Sequence, residues 1–368
     1  MRAHRAGRWS RIALAALMMA LLPACSDLRY FAHVARGQAG LVLHRRPIER
    51  VIADPHTDPE LARRLALALA ARRFASAALA LPDNASYTSY VELHRPYVVW
   101  NVFVTPPYAV EPRLNCFPIA GCVAYRGFFD PAYAQDWTSR WRRQGDDVWI
   151  DGVSAYSTLG WFADPILSSM LRWDDDELAG TIFHELAHQR LYVKDDTAFN
   201  ESFASFVEEE GLRAWHAARG LPPPDERARA MQDAFAALVL DLRERLRAAY
   251  ARGGSEAELA AAKAAEIAAF RARYARWRDR EWGGDHRYDA WVAAPINNAR
   301  LVPFGLYDRW KGAFAALFVR CGRHWPDFYA AAGQLARESA AARQQALEAL
   351  RAVASGDAPR RPMSTPPP

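Results

Sequence analysis

Lysine is almost missing from this 368-residue chain, which draws its positive charge from arginine, and cysteine occurs only four times. The most apolar run, IALAALMMALL at 12–22, has eleven residues, and a membrane-crossing helix needs about twenty. No internal repeat is visible. The formal charge of +5 owes most of its excess to Arg2, Arg5, Arg8 and Arg11. A nucleic-acid partner is therefore not implied, because a basic footprint would have to persist in the folded domain. No second Cys or His pair stands near Cys116 and Cys122 at ligand spacing, which excludes a zinc knuckle. Disorder is excluded by what is present instead: 51% hydrophobic residues, 12% aromatics and 13 tryptophans suit a chain that buries a large core.

The first residues have the layout of an export signal, a basic stretch and then a short apolar one. Leu22–Cys25, LPAC, resembles a bacterial lipobox. That resemblance implies a signal peptide over 1–24, acylation of Cys25 and a lipid anchor in the membrane. Ser26, where Asp would favour the inner membrane, implies a periplasm-facing lipoprotein of the outer membrane. Cys116 and Cys122 in NCFPIAGC, with Pro118 and Gly121 to turn the chain, suit a disulfide in an oxidising compartment. Two buried free thiols are the alternative.

Helices are expected over 28–45 and 59–80, the second opening on Pro59 at a first-turn position. Val-, Tyr-, Phe- and Trp-rich stretches at 90–105, 121–129 and 146–158 read as strands, with a helix between the last two over 131–144. After Asp174 the pattern is helical nearly to the end, including long helices over 225–252 and 255–283. This order predicts an α+β fold, with a small mixed sheet on an active-site helix and a large, mainly helical C-terminal lobe. The expected divisions are a catalytic lobe over 25–224, a helical lobe over 225–353, and a disordered Pro-rich tail over 354–368.

Chemistry concentrates in TIFHELAHQRLYVKDDTAFNESFASFVEEEG, Thr181–Gly211. His184 and His188 stand one helical turn apart and can reach one metal ion, with Glu185 between them able to handle its bound water. Asp174 and Glu177 sit at capping-box spacing at the start of this helix. Leu178, Ile182 and Leu186 give it a core stripe separate from the histidine face. A catalytic zinc takes three protein ligands and one open position. Glu201, at the start of the next helix, is the third-ligand candidate. That helix is expected to stop at Gly211.

H-E-x-x-H followed by N-E-x-x-A resembles the gluzincin metallopeptidases, in which the second glutamate completes a zinc site. The gap from His188 to Glu201 is shorter than in the familiar members, and Ser205 replaces an acid that often holds a zinc histidine. Glu208 can take that supporting task, with Asn200 beside Glu201. LPDNASY, VVWNVFVTPP, NCFPIAGCVAYRGFFD, DGVSAYSTLGWFADP, FHELAHQ, FNESFASF and INNARL together resemble the predicted aminopeptidase family of Gram-negative bacterial lipoproteins, over nearly the whole mature chain. The resemblance implies a zincin-like fold, one zinc per chain held by His184, His188 and Glu201, and a peptide substrate. A G-x-M-E-N-like segment, which carries the amine-binding acid of well-known zinc aminopeptidases, is absent.

In this scheme Glu185 is the general base and Tyr307 the candidate oxyanion donor, with Tyr274, Tyr288 and His286 as rivals. Val153–Thr158 is expected to be a substrate-pairing edge strand carrying Tyr156 and Ser157. Asn297, Asn298 and Arg300 are candidates for binding substrate termini, or for satisfying buried backbone. Two other readings share these residues. One is an envelope lipoprotein that binds peptides or peptidoglycan through a structural, non-catalytic metal; the other is a hydrolase of peptidoglycan cross-links. A base retained beside the ligands favours turnover.

Overall fold

The computed structural model describes residues 28–117, 121–305 and 309–354. The signal segment 1–24, Cys25, Tyr307 and the tail from 355 lie outside them. A helix over 28–43 (α1) leads into β1 (Arg46–Pro47), α2 (Ile48–Ala53) and the long α3 (Pro59–Leu79). Asp58 caps α3 by accepting from the backbone N–H groups of Glu60 and Leu61, and Pro59 occupies a position where no N–H is needed. The stretch 90–105 is not one strand. It divides into β2 (Ser89–Val91) and β3 (Val99–Thr105), because His94 adopts φ 51° and Pro96 offers no ladder donor.

Next come the hairpin of β4 (Asn115–Phe117) and β5 (Gly121–Val123), then β6 (Tyr125–Phe128), α4 (Pro131–Arg143), β7 (Asp147–Val153) and β8 (Ile166–Leu167). Cys116 and Cys122 are bonded across the hairpin, Sγ–Sγ 2.02 Å. The strands form two three-stranded sheets besides the hairpin. β1-β2-β8 is mixed, and β6-β3-β7 is antiparallel with β7 on its edge. β7 stops at Val153, so Ser154–Thr158 is not the continuous edge strand expected. Its backbone is held irregular: Ser169 Oγ donates to Ser154 O (2.5 Å), and Asp164 accepts from Thr158 N and Oγ1 (2.9 and 2.8 Å).

The rest is helical: α5 (Asp175–Arg190), α6 (Thr197–Arg219), α7 (Glu226–Ala251), α8 (Glu256–Arg280), the short α9 (Asp289–Ala293) and α10 (Asn298–Leu301), then α11 (Lys311–Arg320), α12 (Trp325–Arg337) and α13 (Ala340–Ala354). The fold is α+β. α6 runs past Gly211 to its true left-handed cap at Gly220, φ 64°. Gly211 serves packing: a Cβ there would lie 2.9 Å from Leu79 Cδ1 and 3.0 Å from Phe183 Cδ2. Its missing side chain is what lets α6 close on α3 and α5.

Two apolar cores organise the helices. Phe183, Phe199, Phe203, Phe314 and Phe328 are fully buried in the larger one, which joins α3, α5, α6 and α11–α13. Phe235, Val239, Leu242, Phe270 and Tyr274 fill a separate core around α7 and α8. The segment 225–353, read from sequence as one lobe, thus holds two cores: its last three helices share the larger one with α6. The β6-β3-β7 sheet packs α4 on one face through Val102, Val104, Phe128 and Ala134. α5 lies between α3 and α6, and the sheet faces it across a pocket instead of packing directly on it.

INNARL joins the α7–α8 unit to this sheet. Asn298 is fully buried; its Oδ1 accepts from Tyr250 Oη (3.0 Å), its Nδ2 donates to Pro107 O (2.9 Å), and its N–H donates to Asp147 Oδ2 (2.8 Å). Asn297 caps α10 and donates to Val148 O (3.1 Å). Arg300 is buried between the rings of Trp149 and Trp291, 4.7 and 4.2 Å from their centroids. These side chains are bonded within the fold, the second of the two uses that the sequence left open. Asn298→Ala is expected to cost about 1 kcal/mol, because it leaves the half-buried Tyr250 hydroxyl without its acceptor, while Pro107 O keeps Lys263 Nζ as a donor. A lowered urea midpoint with unchanged metal binding checks this; an unmoved midpoint would restore a role outside the fold.

Candidate metal centre and its pocket

Asp174 starts α5 by accepting from Glu177 N (2.8 Å). Its first turn is fixed to the body by the buried Arg64, which donates to Asp175 and to Trp173 O, and by His216 Nε2 on Asp176 Oδ1 (2.7 Å). Leu178, Ile182, Phe183, Leu186 and Ala187 are wholly buried, so the helix has one rotational setting and the histidine face follows from it. The connection to α6 is short. Asn200 clips it, accepting from Val193 N and donating to Val193 O, both 2.7 Å. Asn200 therefore supports the centre by closing this loop and touches no histidine. Asp195, in the same loop, accepts from Cys122 N (2.6 Å) and so ties it to the disulfide hairpin.

With the loop tight, Glu201 meets both histidines. Its Oε2 lies 3.3 Å from His184 Nε2 and 3.5 Å from His188 Nε2, and the two ring nitrogens are 3.1 Å apart. One ligand atom from each residue falls within 4.8 Å of the others, the one such group among the described residues. Glu208 Oε2 is 3.0 Å from His184 Nδ1, which turns Nε2 toward the cluster. Gly180 and Gly211 make room: a Cβ on Gly180 would stand 3.1 Å from Glu208 Oε1.

Three electron-pair donors converge here with little but protons to hold them together. Burial works against a charge on His184, but the hydrogen bonds and charges of Glu201 and Glu208 outweigh it and lift the group well above its usual value. Burial would likewise raise Glu201, yet His188 and His184 hold its carboxyl well below the usual range. A cation in place of the shared proton would satisfy the same lone pairs, and two imidazoles plus a carboxylate suit zinc.

The centre forms one wall of a pocket of about 360 Å³, a size suited to a small ligand. Glu185, Tyr156 and Ser157 line it, as do Val99, Asn101, Gly127 and Val153 from the sheet. His184 and Glu185 also border a wider groove of about 830 Å³ running toward α7, which includes Asp176, Glu177, Asp225, Arg229 and Arg287. Sequence reasoning missed the aromatic wall: Tyr30 from α1, Phe117, Tyr125, Phe129 and Tyr192. Strand alternation was the available signal, since Tyr125 and Gly127 share a face of β6. Burial, then the charges of Glu201, Tyr192 and Glu185, pushes the Tyr125 hydroxyl up. Of the rivals named for Tyr307, Tyr274 Oη donates to Asp289 (2.7 Å) and His286 meets the same carboxylate, while Tyr288 stacks on Phe235 at 3.9 Å and lines the wider groove with His184 and Glu185.

A family model described as "Putative aminopeptidase" matches residues 29–347, which take in the pocket, both histidine-bearing turns and Glu201. The chain belongs to that family. No curated protein and no solved structure matches it. For this aminopeptidase family member, the raised His184 fixes the sign of a pH effect. A metal must displace that proton, so affinity falls on acidification, about tenfold per pH unit per proton displaced. Zinc titrations against a competing chelator at pH 8 and pH 6 measure this. Glu208→Gln is expected to weaken zinc about 10- to 100-fold at pH 8, and equal affinity would show that Glu208 does not orient His184.

Proposed function

We propose that this protein is a zinc-dependent peptidase, acting as an aminopeptidase in the periplasm from an outer-membrane lipid anchor at Cys25. The observation that carries the reading is the convergence of His184, His188 and Glu201 beside a pocket that Glu185 also lines. Membership of the aminopeptidase family supports peptide hydrolysis; the H-E-x-x-H spacing and the gluzincin likeness of the N-E-x-x-A turn support the metal. The bonded Cys116–Cys122 pair accords with an oxidising compartment.

Bound at these three residues, zinc would supply an acidified water and a polarised scissile carbonyl. Glu185, adjacent to a ligand but outside the ligand set, takes the proton of the attacking water and returns it to the leaving amine. Glu208 holds His184 in one tautomer throughout. Tyr125, Tyr156 and Tyr192 line the same pocket, and their hydroxyls are the candidate donors for negative charge developing on the carbonyl oxygen. Ala155 and Tyr156 offer backbone along the pocket to an extended peptide: among the described residues, their main-chain groups make no hydrogen bond.

Glu185→Gln is expected to lower kcat by about 10²- to 10⁴-fold with zinc stoichiometry unchanged. Zinc-loaded protein incubated with a peptide library, half of it N-acetylated, tests the finer reading by mass spectrometry. Loss of first residues from free-amine peptides alone supports the aminopeptidase. Equal cleavage of blocked peptides makes it an endopeptidase, and products identical to those of Glu185→Gln leave a metal-stabilised binding protein.

A further inference from the structure

α1 has two unlike faces. Tyr30, Val34 and Leu41 turn inward, and the first two line the pocket beside the metal centre. The outer face is apolar and uncovered: Leu28, Phe31 and Leu43 are 71%, 47% and 79% exposed, with Ala32, Ala35 and Ala39 exposed between them. Their three- and four-residue spacing makes one stripe. From Leu28 to Arg46 the sequence has no Asp or Glu, while Arg29, Arg36, Arg45 and Arg46 flank the stripe. At the helix's end Arg45 Nη1 donates to Ala163 O (2.7 Å). That contact sets the loop 159–163 against α1, where Leu159 lines the pocket and Trp161 and Phe162 are 68% and 49% exposed.

We propose that this face, α1 with Trp161 and Phe162, rests on a lipid bilayer, so that the pocket works at the membrane surface. An exposed apolar stripe with arginines along it and no carboxylates is the pattern of a helix lying in an anionic interface. The chain outside the described residues argues for the same occupant. The described part of the helix begins at residue 28, three positions after Cys25, so the lipid that the proposed anchor puts on that sulfur would lie within about 11 Å of the stripe. A second copy of the chain fits worse, since two such faces would oppose arginines with no carboxylate on either helix. The pocket lies on the other side of α1, about 10–12 Å from the bilayer, the diameter of one helix. Its substrates are then peptides presented at the membrane, with ends tethered to or emerging from it. That consequence rests on the peptidase reading; the docking does not.

The test uses the full, lipid-anchored chain with Cys321→Ser, carrying an environment-sensitive fluorophore at Phe31→Cys, Leu43→Cys or, as control, Val319→Cys. Vesicles of phosphatidylethanolamine and phosphatidylglycerol with brominated chains are expected to quench the probes at 31 and 43 at least twofold and to leave 319 unchanged. Water-like emission at 31 and 43 overturns the proposal, and so does a blue shift that tracks protein concentration without bromine quenching, the mark of a second copy. Phe31→Glu with Leu43→Glu is expected to slow hydrolysis of a vesicle-tethered peptide about tenfold and to spare the same peptide free in solution. Unaltered hydrolysis of both forms by that variant overturns the substrate class. Quenching needs no turnover, so its failure is distinguishable from failure of the peptidase reading.

Discussion

The closeness of α5 to α6 governs the rest of this molecule. Glu201 can approach both His184 and His188 only if the two helices nearly touch, and two glycines at their interface permit that contact. A Cβ at Gly211 would press on Phe183, which shares a helix with the histidines, and one at Gly180 would press on Glu208. The second effect would displace the carboxylate that orients His184. The metal centre and the core between these helices are therefore one packing problem. Interiors packed to native density do not deform smoothly, so a shift of α6 that preserved Phe199 and Phe203 in the core yet lost Glu201 from the cluster has no low-energy form.

The same constraint divides what was legible in the sequence from what was not. His184, Glu185 and His188 could be read because their spacing is a property of a single helix. Asp174 could be read as a cap for the same reason, since its partner is three residues away. Glu201 and Glu208 needed one further step, that the next helix runs back alongside. Gly211 was misread because a glycine late in a helix has two uses, ending it or admitting a neighbour, and only the neighbour decides. The aromatic wall was harder to read for a stronger reason. Tyr30, Tyr125 and Tyr192 come from a helix, a strand and a loop, and beyond the alternation of β6 nothing local marks them.

Asn297, Asn298 and Arg300 illustrate the opposite case, a distinctive motif whose two readings, substrate termini or buried backbone, the sequence could not separate. Their partners are the carbonyls of Pro107 and Val148, the carboxylate of Asp147 and two indole rings. Lys263 from α8 adds a contact to the same Asp147 (2.5 Å). All of these converge on β7 and the end of β3. β7 thus anchors the α7–α8 unit by one end and borders the pocket by the other, at Val153. The motif acts on the cleft at a distance, by setting where the wall made by α7 stands.

That wall gives the cleft two unlike arms meeting at His184 and Glu185. One is compact and aromatic, and among the described residues its carboxylates are Glu185 and Glu201, both of which the proposed chemistry uses. The other is wide and carries Asp176, Glu177 and Asp225 against Arg229 and Arg287. A peptide ammonium entering the compact arm would find ring faces, which attract cations through their quadrupoles, but no spare acid. In the wide arm it would find Glu177 beside Asp176, which is paired with His216, and Asp225, which caps α7. Direction of binding and recognition of the amine are therefore one question here. The missing G-x-M-E-N segment has a structural counterpart, because the arm small enough to measure the length of a peptide end is the arm without a free carboxylate.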